Sequence, residues 1–318
     1  MRDNFGREID YLRISLTDLC NLRCLYCMPA EGVEKLRHKE VLSLEEVAEI
    51  AAAAASLGVK KLRLTGGEPL VRRGVLRLVE KLAALPGIED LAMTTNGVLL
   101  PQTAKELKAA GLRRVNISLD TLDPEKYRRI TRGGELRDAL AGIEAAFAAG
   151  LEPVKLNAVL IGGFNDDDIP ALAALTREAP VEMRFIELMP IGDTEQFGAE
   201  AYLPADTVIE RLPDLEPISD PTGGVARLYT LPGARGKVGL IRPVSCSFCG
   251  GCNRVRLTAD GFLKPCLHSG KEILLRGLHG DALKAALADA IGQKPKEHAA
   301  LSERERSGAG RNMHEIGG

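Results

Sequence analysis

Tryptophan is missing from this chain of 318 residues, and phenylalanine (7) and tyrosine (5) are sparse. So few aromatics leave little with which to build a base-stacking surface for nucleic acid. A dominant sign of charge is missing too, since 42 Lys and Arg against 44 Asp and Glu leave a net of −2. With no global field, nothing points to a nucleic-acid partner or an anionic membrane, and any phosphate must be bound by local basic clusters. No apolar run nears the roughly 20 residues that span a bilayer. The opening Met-Arg-Asp-Asn-Phe-Gly-Arg-Glu lacks the apolar stretch of a secretion signal, so a cytoplasmic protein is expected. The hydrophobic share of 45% is ample for a core and argues for one large domain with a smaller appendage.

Cysteine is absent outside two groups, Cys20, Cys24 and Cys27 near the start and Cys246, Cys249, Cys252 and Cys266 towards the end. In a reducing compartment such grouping reads as metal ligation and not as disulfides. The first group, Leu-Cys-Asn-Leu-Arg-Cys-Leu-Tyr-Cys, is too tightly spaced for core thiols and short enough to wrap three thiolates round one metal cluster. Iron–sulfur cubanes normally take four protein ligands, so a loop offering three leaves one iron open for chemistry. In the second group Cys249-x2-Cys252-x13-Cys266 again offers three thiols, with Cys246 ahead at the same two-residue spacing. All four would close a cluster or a structural zinc site, and three would make another open cluster. Spacing leaves these readings level.

Residues 9–16 alternate like a strand and run straight into the first cysteine loop. Ser43, with Glu46 three residues on, caps a helix that Gly58 ends. Strands then read at 59–65, 91–95, 114–119, 154–161 and 181–188, with helices at 75–85, 102–110, 136–149 and 169–178. Six strands alternating with helices predict an α/β fold with a parallel sheet wound by right-handed crossovers. Ligands then belong at the carboxyl ends of the strands. That rim collects the cysteine loop after Asp18, Gly66-Gly67-Glu68-Pro69, Thr94-Thr95-Asn96-Gly97, Ser118, Asp120 and Met189-Pro190. Beyond about 190, prolines and glycines become frequent, strand-like pieces appear at 225–231 and 237–242, and a helix at 281–291. The expected boundary lies near 216, giving domains 1–216 and 217–318.

The Cys-x3-Cys-x2-Cys loop with Tyr26 before its last cysteine resembles the radical S-adenosylmethionine enzymes. The chain also carries Gly-Gly-Glu-Pro, Thr-Thr-Asn-Gly, Cys252-Asn-Arg-Val-Arg-Leu and a second three-cysteine set. From about Leu12 to Gly318 it thus resembles the GTP 3′,8-cyclase family, which begins molybdenum cofactor (molybdopterin) biosynthesis. The resemblance implies a partial β/α barrel of six parallel strands and a smaller C-terminal α+β domain carrying a second iron–sulfur cluster. It implies two [4Fe-4S] clusters, one on Cys20, Cys24 and Cys27 and one on Cys249, Cys252 and Cys266, with S-adenosyl-L-methionine as cofactor. Cys246 has no counterpart in that pattern and is expected to be a bystander. The implied reaction removes the 3′ hydrogen of GTP with a 5′-deoxyadenosyl radical and joins C3′ to C8, giving 3′,8-cyclo-7,8-dihydro-GTP. Implied partners are GTP, an electron donor, a cyclic pyranopterin monophosphate synthase reached through the product, and a second copy in a homodimer.

Residue by residue, the resemblance gives Arg13, Arg63, Thr94, Lys155, Arg254 and Arg256 to GTP, where the planar fork of arginine suits phosphate. It gives Tyr26, Gly66, Gly67, Ser118 and Met189 to S-adenosylmethionine. Arg13, Arg254 and Arg256 are also the catalytic candidates, the last two for the late reduction and protonation. Gly317 and Gly318 join them as a slim finger reaching into the site. A lone Lys or Arg is ordinarily a solvated charge, Gly-Gly a turn and a terminal glycine pair a frayed end. The basic residues gain weight as a set, because each lies in a barrel strand or a cysteine loop. The rivals are another radical enzyme with an auxiliary cluster, such as a peptide-modifying one, and a zinc-stabilised β/α binding protein.

Overall fold

The computed structural model describes the whole chain except residues 34–35, 38, 193–196, 220–223, 247, 300, 302–306 and 318. Six strands, β1 (Tyr11–Ser15), β2 (Lys61–Thr65), β3 (Asp90–Thr95), β4 (Arg114–Ser118), β5 (Lys155–Leu160) and β6 (Glu182–Glu187), lie side by side and parallel. These are the six read from the sequence, most of them a residue or two shorter. Helices α1 (Leu44–Ser56), α2 (Val75–Ala83), α3 (Leu100–Ala109), α4 (Pro124–Thr131), α5 (Leu136–Ala148) and α6 (Ile169–Glu178) fill the crossovers. Helix α1 starts as expected, with the Ser43 hydroxyl accepting from Glu46 N at 3.1 Å and the Glu46 carboxylate accepting from Ser43 N at 2.8 Å. Helix α4 was not foreseen. It is short and mostly polar, and it rests on Asp123, which accepts from the backbone of Glu125 and Lys126.

The later chain adds β7 (Glu216–Pro217), β8 (Arg227–Thr230), β9 (Lys237–Ile241), β10 (Arg254–Leu257), β11 (Phe262–Lys264) and β12 (Ile273–Leu274). It also adds helices α7 (Thr207–Arg211), α8 (Gly280–Gly292) and α9 (Met313–Ile316). Strand β9 pairs parallel with β6 and β10 pairs parallel with β1, so the parallel run extends beyond the six expected strands at both edges. Antiparallel strands then finish each margin, in the order β12-β11-β10-β1-β2-β3-β4-β5-β6-β9-β8-β7. The result is an incomplete β/α barrel whose single sheet runs across the expected boundary near 216. No described helix is long and apolar enough to cross a membrane.

Alternate residues along the strands have opposite character. Leu12, Ile14, Leu62, Leu64, Met93, Ile117 and Phe185 belong to the apolar core, whereas Arg13, Arg63, Thr94, Asn116, Lys155 and Arg184 line a central cavity. Parallel strands covered on both faces usually read as continuous apolar runs, and such barrels usually fill their centre with branched apolar side chains. Here the core lies between sheet and helices, and the lumen is left to charge.

Packing also shapes the rim. Helix α5 approaches the turn after β3 so closely that a Cβ on Gly142 would stand 2.2 Å from the carbonyl oxygen of Gly97. Gly142→Ala is expected to lower stability by about 1–3 kcal/mol through overpacking, read as a lower urea midpoint. An unchanged midpoint would show that the helix can retreat freely from the rim.

Candidate active site

Register sets the chemistry of the lumen. Arg13 stands opposite Arg63 on one side and Arg256 on the other, so three guanidiniums lie abreast on neighbouring strands, an arrangement like charges disfavour. Burial, and then Arg256 and Arg63, hold the Arg13 guanidinium well below its usual range. Burial brings Arg63 and Arg256 down to about 10, which leaves both charged at neutral pH. Arg63 and Arg254 lie over the Tyr11 ring at 5.5 and 5.9 Å, and Arg254 also lies 5.8 Å from the Phe248 ring. The two lining carboxylates answer other cations, Asp90 taking Arg114 and Glu182 taking Lys155 and Arg184. The cavity measures about 560 Å³, within the range of small-molecule sites. Among the described residues, Arg63 Nε, Arg254 Nε, Thr94 Oγ1 and both side-chain polar atoms of Asn116 are buried without a hydrogen-bond partner. All of these residues line the cavity, so the lumen holds unanswered guanidinium, hydroxyl and amide donors suited to a polyanion, beside the unanswered amide oxygen of Asn116.

The first cysteine loop crosses the carboxyl end of this barrel. Cys27 N donates to the Cys24 carbonyl at 2.9 Å, turning the loop on itself. Burial, then Cys27, Asp120 and Cys20, push the Cys24 thiol well up. Burial and Cys20 push Cys27 up to about 12. A metal that takes these thiols as thiolates offsets the cost of charging them in so buried a place. Around them, Glu68 is fully buried and accepts from Leu70 N, Asn96 N and Thr95 Oγ1, tying the Gly-Gly-Glu-Pro turn to the Thr-Thr-Asn-Gly turn. Burial lifts its carboxyl to about 7. Tyr26 donates to Asp120 at 2.8 Å, and burial lifts that carboxyl to about 6. The glycine pair has a reason that spacing could not supply. A Cβ on Gly66 would lie 2.5 Å from the Thr17 carbonyl oxygen, and one on Gly67 2.4 Å from that of Leu19. The cysteine loop itself demands both glycines.

The second cysteine group lies at the other end of the lumen. Cys252 precedes β10 and Cys266 follows the antiparallel β11, so both sit at the amino ends of the parallel strands, at the opposite mouth of the lumen. Cys249, Cys252 and Cys266 line the cavity, whereas Cys246 is exposed and is not among the lining residues. Burial would raise the Cys252 thiol, but the ammonium of Lys294 and the Arg254 N–H outweigh it and lower the thiol instead. Among the described residues no three His, Cys, Asp or Glu side chains gather on one point that a single ion could fill.

Arg13, Arg63, Thr94, Lys155, Arg254, Arg256 and Met189 thus share the cavity wall with the second cysteines. Tyr26, Gly66, Gly67, Ser118 and the first cysteines lie at the carboxyl rim, outside that wall. Spacing missed Lys61, Arg114, Arg184, Asn116, Asn157 and Lys294, all of which line the cavity. For all but Lys294, which follows α8, the signal was the alternation itself, a polar residue at every second place in strands otherwise apolar.

The carboxyl-terminal segment enters the same cavity. The Gly317 carbonyl accepts from Arg256 Nη1 at 2.7 Å and from Arg13 Nη2 at 3.3 Å. Gly318 lies outside the described residues. Gly317 has φ +79°, and a Cβ there would meet Thr65 Oγ1 at 2.1 Å. Gly317→Ala should therefore unseat the tail, seen as faster hydrogen exchange over residues 313–317. Unchanged exchange would show that the tail tolerates a side chain there.

Comparison with known proteins agrees with this geometry. The radical SAM superfamily matches residues 14–176 and the family described as Molybdenum Cofactor Synthesis C matches residues 181–300. A GTP 3′,8-cyclase of Alkaliphilus oremlandii is 51% identical over 321 residues, covering 100% of both chains. One of Moorella thermoacetica is 53% identical over 307 residues, covering 94% of this chain and 95% of its own. Among solved structures, Streptococcus suis SuiB bound to S-adenosylmethionine matches with a TM-score of 0.66 over 91% of this chain and 66% of its own. At 18% identity that likeness speaks to the fold alone. With half its residues shared along the full length, the chain belongs to the GTP 3′,8-cyclase family of radical S-adenosylmethionine enzymes.

Proposed function

We propose that this chain converts GTP to 3′,8-cyclo-7,8-dihydro-GTP, the first step of molybdenum cofactor biosynthesis. The reading rests above all on the abreast guanidiniums Arg256, Arg13 and Arg63 in a lumen with one cysteine group at each mouth. Cys20, Cys24 and Cys27 would hold one [4Fe-4S] cluster, and Cys249, Cys252 and Cys266 the other, with Cys246 a bystander. Tyr26, Gly66, Gly67, Ser118 and Met189 would seat S-adenosylmethionine at the carboxyl rim. When bound, the first cluster and S-adenosylmethionine supply a 5′-deoxyadenosyl radical, which takes the 3′ hydrogen of GTP.

The chain's own residues bind and orient. Arg13, Arg63, Lys155, Arg254 and Arg256 neutralise the triphosphate, and Thr94 offers a hydroxyl. Fixed cations in a cavity that excludes water hold C3′ beside C8 with little reorganisation. Bond formation between C3′ and C8 is completed by one electron from an external donor and one proton. Arg254 and Arg256 stand where that charge is neutralised, and Gly317 reaches in to Arg256 and Arg13 beside them. The product passes to a cyclic pyranopterin monophosphate synthase in the cytoplasm, and two copies of the chain pair as a homodimer.

After anaerobic reconstitution with iron and sulfide, the chain should release 5′-deoxyadenosine in a GTP-dependent manner and form the cyclised product. Iron for two cubanes should remain in Cys246→Ser. Deoxyadenosine release that ignores GTP would overturn the reading, and loss of one cluster in Cys246→Ser would remove that residue from the bystanders.

Lys155 gives a pH test. Burial, and then Arg184, bring its ammonium down to about 8 despite Glu182 at 2.7 Å. The cation is present below about 8 and lost above it, so GTP binding should weaken about tenfold as pH rises from 7 to 9. Lys155→Arg should bind GTP evenly across that window in equilibrium dialysis. A wild-type profile as flat as the variant's would show that Lys155 does not meet the phosphates.

A further inference from the structure

Each cysteine loop is tied to the far end of the chain through a ligand residue's backbone. At the amino terminus, Asp3 accepts from Phe5 N and Arg7 N, both at 2.9 Å, and from Arg7 Nε at 2.6 Å, folding residues 2–8 into a small hairpin. The Arg7 side chain is 8% exposed and that of Asp3 0%. With its Nε so occupied, the Arg7 fork donates to the Cys249 carbonyl at 2.8 Å, to Lys296 at 2.9 Å and to Pro295 at 2.6 Å. One guanidinium therefore joins the second cysteine loop to the segment that follows Lys294. At the carboxyl terminus, Arg311 takes Glu272 through two nitrogens at 2.7 Å and Asp260 at 2.9 Å. That anchor precedes α9, where His314 is 2% exposed and its Nδ1 lies 3.1 Å from the Cys27 carbonyl. A carbonyl can only accept, so Nδ1 carries the proton.

We propose that the termini are crossed positioning elements: Arg7 fixes the Cys249 loop, and His314 fixes the Cys27 loop. The proposal rests on the reading that both loops hold clusters, and it concerns how each loop is held. Neither residue touches substrate or cofactor. Each orients a ligand through the backbone, as outer groups do around other metal sites, where their loss costs about tenfold or more in metal affinity. Arginine suits its post because its five donors can serve a carboxylate and several carbonyls at once. Histidine suits the other post because its ring N–H is a short planar donor that can be buried against a carbonyl.

The test uses the full-length chain in two states. In the iron-free state, alkylation of each thiol is followed by mass spectrometry. Arg7→Ala should speed alkylation of Cys249 several-fold and leave Cys27 unchanged, and His314→Ala should do the reverse. His314→Asn, whose side-chain amide can donate from nearly the same place, should restore the slow rate at Cys27. Arg7→Lys keeps the charge and loses the fork, and should behave as Arg7→Ala. In the reconstituted state, electron paramagnetic resonance of the reduced clusters should change for the second cluster alone in the Arg7 variants and for the first alone in His314→Ala. Variants that disturb both loops together, or neither, would overturn the proposal. An unaltered chain that takes up no cluster would defeat the functional reading instead, and the alkylation pattern would still decide this one.

Discussion

Three guanidiniums held abreast inside a barrel define this protein. Arg256, Arg13 and Arg63 cannot spread apart, because each sits mid-strand in a parallel sheet whose opposite face is packed with leucine, isoleucine and methionine. A one-residue slip that separated them would turn the apolar set into the lumen and the charges into the core. The hydrophobic layer between strands and helices therefore sustains a repulsion that the lumen could not sustain alone. Partial relief comes from the Gly317 carbonyl and from the faces of Tyr11 and Phe248. What is left is a preorganised demand for negative charge, suited to a triphosphate.

Parallel topology gives that lumen two chemically different mouths. Loops after β1, β2 and β3 meet at the carboxyl rim, where Asp120 holds Tyr26 of the first cysteine loop and Glu68 ties the two glycine-rich turns together. The amino-end mouth would usually serve stability, but here β10 joins the sheet beside β1 and brings Cys252 with it. The cavity thus has Cys249, Cys252 and Cys266 in its wall at one mouth and the first cysteine loop at the rim of the other. Closing strands from the later part of the chain thus convert a one-sided barrel into a two-sided reaction chamber.

Close approach of backbone to backbone explains several residues whose identity would otherwise be read as ligand-driven. Gly66 and Gly67 admit the carbonyls of Thr17 and Leu19, and Gly142 admits that of Gly97. The site is held by its own loops before any ligand arrives. Glu187, at the end of β6, plays a similar part, accepting from Ala205, Val244 and Ser245 and so tying β6 to the approach of the second cysteine loop.

Much of this was legible in the residues alone. The strand–helix period, the capping box at Ser43, the grouping of all seven cysteines and the glycine-rich turns are local signals, because each arises from spacing along one segment. The alternation Leu-Arg-Ile in β1 and Leu-Arg-Leu in β2 already announced a sheet apolar on one face and cationic on the other. Other features depend on which distant segments become neighbours. Nothing local says that β10 pairs with β1, that Arg13 then lies between two arginines, or that Cys252 opens at the far mouth. Strand order and register are decided by the burial of the whole apolar face at once, and only that global packing brings the second cysteine group, the cation row and Gly317 into one cavity.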